Sequence, residues 1–124
     1  MISLVWPIDP VSKSAEFHLP YMPSGTATVI DEEYAQYGVP SSTFQSLNQL
    51  SYQSHRPDKK WLQKFPTILF SPALGISRLL YSIIAQSMAN HGYFVASIDH
   101  PYDSDVVEFP GGKLIFAGNI STDA

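Results

Sequence analysis

Residues 65–103 constrain this chain more than any other stretch. Thr67, Ile68, Leu69 and Phe70 make a continuous apolar run that stops at the turn Ser71-Pro72-Ala73-Leu74-Gly75-Ile76-Ser77. A helix-like run follows. Tyr93-Phe94-Val95-Ala96-Ser97-Ile98 then makes a second apolar run that ends in Asp99-His100-Pro101-Tyr102-Asp103. This order predicts a strand, a helix and a strand. A crossover of that length makes the two strands parallel neighbours in one sheet. In such sheets ligands lie beyond the carboxyl ends of the strands, so chemistry is expected in 71–77 and 99–105. The fold class that follows is α/β.

The rest of the chain is read around that unit. The run 67–70 suits a strand buried on both faces. Leu79, Leu80, Ile83, Ile84 and Met88 recur at helical spacing and predict one broad apolar stripe. Gly92 supplies a left-handed stop. Residues 2–6 predict a strand ended by Pro7 and Pro10. Residues 11–25, with Pro20, Pro23 and Gly25, read as irregular, and 26–30 as a short extended segment. Residues 31–37 predict a short helix, with Asp31, Glu32 and Glu33 in its first turn and Gly38 at its stop. Ser41 or Ser42 is placed to cap a second short helix running to Leu50. Residues 51–64 are polar and read as an exposed connection. Residues 106–116 predict a hairpin across Pro110-Gly111-Gly112-Lys113, and 118–124 carry no stop signal.

Composition narrows the function classes. The 124 residues suffice for one domain with a modest core. Only 15% are charged, against about a quarter in ordinary soluble domains. Either much of the surface is covered by something else or the chain belongs to a larger body. The net charge of −4 gives no case for nucleic acid. Without cysteine there is neither a disulfide framework nor a thiolate metal site. No apolar run approaches the ~20 residues of a membrane span, and the first six residues are too short and lack the basic start of a signal peptide.

Three stretches carry candidate chemistry. Gly75-Ile76-Ser77-Arg78-Leu79 approaches a Gly-x-Ser-x-Gly nucleophile elbow, but Leu79 stands where the second glycine belongs. The plainer role for Ser77 is to cap the helix that begins at Arg78. The turn 72–75 sits between a strand end and a helix start, where backbone amides lack internal partners. Such amides can stabilise a developing oxyanion, although many loops of this kind are inert. In 99–103, adjacent strand residues point to opposite faces, so Asp99 and His100 do not make one dyad; anchoring bonds to the backbone are the simpler expectation. Asp103 and Asp105 near His100 lack metal-ligand spacing, so neither a metal nor another cofactor is expected. His18, His55 and His91 are isolated, in solvating or capping roles. A serine triad needs a serine, a histidine and an acid on separate strand ends. This chain offers one doubtful serine and no further strand–helix units, so it reads as the first part of an enzyme.

At these residues a family comes into view. Phe70-Ser71-Pro72-Ala73-Leu74-Gly75, the segment Ala89-Asn90-His91-Gly92-Tyr93, then Ile98-Asp99-His100-Pro101-Tyr102-Asp103 and Val107-Glu108-Phe109-Pro110-Gly111-Gly112-Lys113 resemble the platelet-activating-factor acetylhydrolase-like branch of the α/β-hydrolases. Val5-Trp6-Pro7 and Tyr21-Met22-Pro23 are similar to it as well. The resemblance implies the N-terminal part of an α/β-hydrolase sheet, incomplete on its own. It implies that the Leu74 backbone amide is an oxyanion donor. In the family the serine elbow, the acid and the catalytic histidine follow this region, so none maps onto these residues. Pro72 stands where the family has His, and Ala73 where it has Gly. Proline removes a backbone donor.

The expected function is therefore part of a serine hydrolase cleaving carboxylic esters with short acyl chains or lipid-like or secondary-metabolite character. Leu74 would supply the oxyanion amide, and Pro72, Ala73, Ile76, His100 and Tyr102 the pocket wall. The expected partners are the C-terminal part of the same hydrolase, as a second chain or a further segment, and a small ester. Two alternatives stand beside this reading: an acyltransferase or other non-hydrolytic enzyme on the same fold, and a non-catalytic fragment.

Overall fold

The computed structural model describes residues 1–8, 15–52 and 58–118. Its centre is a three-stranded sheet of β1 (Ile2–Val5), β4 (Thr67–Phe70) and β5 (Phe94–Ile98) in the order β1-β5-β4. β5 runs parallel to β4, with Thr67 opposite Phe94 and Phe70 opposite Ser97. It runs antiparallel to β1, with Ile2 opposite Ile98 and Val5 opposite Val95. The central strand is the most buried of the three, and Val95 is wholly enclosed. The unit expected at 65–103 is thus present, with its two carboxyl ends side by side.

Two antiparallel ribbons flank the sheet. β2 (Glu16–Pro20) pairs with β3 (Asn48–Tyr52), and β6 (Val106–Glu108) with β7 (Leu114–Phe116). The second ribbon is the expected hairpin, turned by Gly111 and Gly112, both at positive φ. The main core lies between it and α1 (Ser24–Ala35): Tyr21, Met22, Ala27, Ile30 and Val106 pack together, with Phe44, Leu79 and Leu80 against them.

Several local expectations are corrected. Residues 26–30 are not extended; they open α1. Thr26, Ala27, Ile30 and Asp31 are its buried face, and that spacing belongs to a helix. Burial against β6 overrides the weak helix preference of Thr26, Thr28, Val29 and Ile30. The acids at 31–33 therefore fall in the later turns rather than the first. Residues 41–50 hold only the short helix α2 (Thr43–Ser46), because Asn48 onward pairs as β3. Ser42 sits at its start in a left-handed conformation and makes no side-chain cap bond. The stretch read as irregular contains β2. The exposed connection contains the end of β3 and α3 (Lys59–Leu62), capped by Asp58. Residues 11–14, His55 and 119–124 lie outside the described residues.

The helix after β4 starts as a 3₁₀ turn (Arg78–Tyr81) and continues as α4 (Ser82–Asn90), stopped by Gly92 at φ +93. Its buried face is Ala85 and Ala89, whereas Ile83 and Ile84 of the expected stripe are exposed. β4 is not buried on both faces either: Leu69 is 73% exposed. Registration places Leu69 across Ala96 from Leu4, so these three share one face of the sheet. Ile2 and Leu4 are exposed with Leu69. One side of the sheet is covered by α4; the other presents bare apolar side chains.

Three helix starts are closed by carboxylates from elsewhere in the chain. Glu108 accepts from the Thr26 amide at 2.7 Å and the Thr26 hydroxyl at 3.1 Å. Asp31 accepts from the Phe44 amide at 2.8 Å and the Gln45 amide at 3.2 Å. Asp99 accepts from the Arg78 amide at 2.7 Å. Each satisfies donors that no earlier turn can reach, and each places negative charge at the positive end of a helix.

Candidate active site

The two segments beyond β4 and β5 meet. The Gly75 amide donates to the Asp103 carbonyl at 2.8 Å, and the Ile76 amide to the Ala73 carbonyl at 3.1 Å. Gly75 has φ +75, a conformation that glycine adopts freely. These bonds close a tight turn. Pro72 has no amide hydrogen, and Gly75 and Ile76 are committed. Among the described residues, the amides of Ala73 and Leu74 donate to no internal acceptor.

Those amides border a hollow of about 320 Å³ lined by Ser71, Pro72, Ala73, Leu74, His100, Asp103 and Ser104. Of the expected site residues, the structure gathers Pro72, Ala73, Leu74 and His100 there. Ile76 is half-buried beside the turn and Tyr102 is exposed; neither lines the hollow. Tyr102 instead takes φ +74 and its carbonyl accepts from Gly118 at 2.8 Å. Ser71 adds a contact that sequence reasoning missed: its Oγ lies 3.1 Å from His100 Nε2. The clue was the strand pairing, since Phe70 opposite Ser97 sets Ser71 next to the loop that begins at Asp99.

Asp99 is withdrawn from chemistry. It is 3% exposed and pairs with the guanidinium of Arg78, which also donates through Nε to Ser3 Oγ at 2.8 Å. Ser104 Oγ adds a long bond to Asp99 at 3.4 Å. Asp99 does bond to backbone, through the Arg78 amide at 2.7 Å, and the ion pair with the Arg78 guanidinium is added to that anchor. His100 anchors the loop through its carbonyl, which accepts from the amides of Asp103 and Ser104, both at 3.1 Å. Ser77 is 1% exposed and its Oγ accepts from the Leu79 amide at 3.3 Å. It is the cap, outside the hollow. His91 Nδ1 sits 2.7 Å from the Ser87 carbonyl at the end of α4, and His18 is exposed on β2.

Behind the turn lies a carboxyl pair. Burial pushes the Glu33 carboxyl up from its usual range, and the charge of Asp105 and a hydrogen bond to it push further in the same direction. Burial, with Glu33 and Asp105 adding, raises the Tyr34 hydroxyl too. A Cβ placed on Gly75 would lie 3.4 Å from Asp105 Oδ1, so the pair backs the turn. Among the described residues, no three His, Asp or Glu side chains converge to hold a metal ion, and no helix is long and apolar enough to cross a membrane.

Comparison with known proteins adds to this geometry. The family model described as platelet-activating factor acetylhydrolase, isoform II, matches residues 17–109. A probable 1-alkyl-2-acetylglycerophosphocholine esterase of Arthroderma benhamiae is 46% identical over 56 residues, 45% of this chain and 14% of that protein. A platelet-activating factor acetylhydrolase of Cavia porcellus is 37% identical over 70 residues, 52% of this chain and 16% of that protein. The matched stretches therefore cover about a sixth or less of these relatives' own length. A ferulic acid esterase structure from Streptomyces cinnamoneus superposes with a TM-score of 0.64 at 24% identity, over 93% of this chain and 29% of that one. That likeness shows the fold: the mixed sheet and its helices are part of an α/β-hydrolase fold.

Proposed function

Because the chain belongs to the platelet-activating factor acetylhydrolase, isoform II, family, we propose that it forms part of a serine hydrolase that cleaves carboxylic esters. The observation that carries this reading is the Leu74 amide, which among the described residues has no internal acceptor and stands at the rim of the hollow between the β4 and β5 ends. An ester carbonyl seated there places its oxygen against that amide. When a serine attacks, the oxygen gains negative charge, and a fixed donor stabilises it more than it stabilises the ground state. Collapse of the tetrahedral intermediate expels the alcohol and leaves an acyl-enzyme, which water then hydrolyses. Pro72, Ala73 and His100 wall the acyl side of this seat. The favoured substrates carry short acyl groups on lipid-like or secondary-metabolite alcohols, in keeping with the acetyl ester named for the Arthroderma relative.

The attacking serine, its histidine and the acid come, on this reading, from a further segment of the same hydrolase, joined in one α/β-hydrolase domain. Ser77 is capped and enclosed, and Asp99 is paired. The bare apolar face carrying Ile2, Leu4 and Leu69 supports the reading, since a surface of that kind calls for cover. A fluorophosphonate probe tests the assignment in the active protein. Labelling of a serine outside these 124 residues, with none on Ser77, is the expected result; a labelled Ser77 would overturn it. Product analysis with an added alcohol acceptor separates hydrolysis from acyl transfer, and transfer in excess of hydrolysis would replace the hydrolase reading.

A further inference from the structure

The hydrogen bond between Ser71 Oγ and His100 Nε2, at 3.1 Å, can run in either direction. If the ring accepts, the serine is being activated as a nucleophile. If the ring donates, the serine proton is free to point elsewhere. A base of the first kind needs a third group to orient its ring. Among the described residues no carboxylate bonds the His100 ring. Asp99 is committed to Arg78, and Asp103, although it lines the hollow, makes no bond to the ring. Among the described residues, the uncommitted backbone donors of the turn are the Ala73 and Leu74 amides. Pro72 has none, and the amides of Gly75 and Ile76 are committed.

We propose that Ser71 is a side-chain oxyanion donor: His100 Nε2–H donates to Ser71 Oγ, and the Ser71 hydroxyl is directed at the acyl oxygen beside the Leu74 amide. This rests on the ester-hydrolysis reading of the same hollow. His100 is a positioning residue that acts through Ser71. A chain of two donors polarises the second, which strengthens it where charge develops. No proton is transferred. The Nε2 proton is present in that neutral tautomer and in the imidazolium alike. Protonating His100 therefore leaves the donor in place, whereas a general base would be lost.

Two readouts on the active protein decide the matter. Nitrogen-15 NMR of His100 reports its tautomer independently of turnover. The expected result is a protonated Nε2 whose signal shifts in Ser71→Ala; a neutral ring with its proton on Nδ1 overturns the proposal. Steady-state kinetics on a short-chain p-nitrophenyl ester are the second readout. Ser71→Ala is expected to lower kcat by about 10–100-fold with little change in KM, and Ser71→Thr to restore most of it. His100→Gln, whose amide still donates, is expected to keep more activity than His100→Ala. Unchanged kcat in Ser71→Ala, or fluorophosphonate labelling of Ser71, overturns the proposal. No ester turnover by the parent protein sinks the ester reading instead, and the tautomer still settles which way the Ser71–His100 bond runs.

Discussion

The amide of Gly75 donates to the carbonyl of Asp103 at 2.8 Å, so the turn after β4 and the loop after β5 are held as one surface. The bond requires the backbone of Gly75 to stay at φ +75. Gly75→Ala places a side chain in that left-handed region, which costs about 1–2 kcal/mol, and sets a methyl group 3.4 Å from Asp105 Oδ1. The expected outcome is a drop in thermal stability together with a fall in kcat for ester hydrolysis, because the Leu74 amide shifts with the turn. Retained kcat at reduced stability would separate the turn from the chemistry.

Asp99 and Arg78 are both under 10% exposed and form an ion pair. Removing one partner strands the other charge in the interior. Asp99→Ala is therefore expected to lower unfolding free energy by about 3–5 kcal/mol, measured by urea denaturation. The double variant Arg78→Met/Asp99→Ala is expected to recover part of that loss, since no charge is then left unpaired. A double variant as unstable as the sum of the two single ones would show that the pair is not the source of the effect.

Glu108 caps α1 from β6 through the amide and hydroxyl of Thr26. Glu108→Ala is expected to cost about 1–2 kcal/mol, the usual range for a lost cap. Gly25→Ala attacks the same contact from the other side, because a Cβ there lies 2.9 Å from Glu108 Oε2 and 3.1 Å from Leu114 Cδ2. The two variants should combine to less than the sum of their separate effects. Additive losses would show that Gly25 and Glu108 act independently.

The Glu33–Asp105 pair gives stability a pH dependence of fixed sign. Burial and the facing Asp105 raise the Glu33 carboxyl above its ordinary value of 4.5. A raised carboxyl contributes stability that is fully present below the unfolded value and lost as pH climbs through the folded one. Glu33→Gln is uncharged at every pH. It is expected to raise the melting temperature at pH 7 relative to the parent while leaving it nearly unchanged at pH 4. An identical shift at both pH values would remove the carboxyl pair as the cause.

How much of this was legible in the sequence depends on how local each determinant is. β4, β5 and the 106–116 hairpin announce themselves through short apolar runs ended by proline or glycine, and Gly92 and Gly111 mark their own turns. α1 does not, because its residues 26–30 favour strand by type and become helical only through burial of Thr26, Ala27 and Ile30 against Val106. The exposure of Leu69 is equally invisible, since an apolar run says that a strand is meant for burial but not what buries it. In the hollow, Leu74 and His100 follow from their places beyond the strand ends. Ser71 falls in the expected stretch 71–77, but its contact with His100 becomes visible only with the register of β4 on β5. The Arg78–Asp99 pair spans 21 positions, and no local pattern links the two residues.

The borrowed carboxylates also set the order in which this chain can assemble. Thr26 and Glu108 are 82 positions apart, so α1 gains its cap only after the second ribbon has closed over it. Asp31 then serves α2, which makes that short helix dependent on α1 in turn. Contacts of such separation form late and slow folding. A peptide covering α1 and α2 alone has neither the Glu108 cap nor the Val106 surface, and both helices wait for β6, which follows them in the chain.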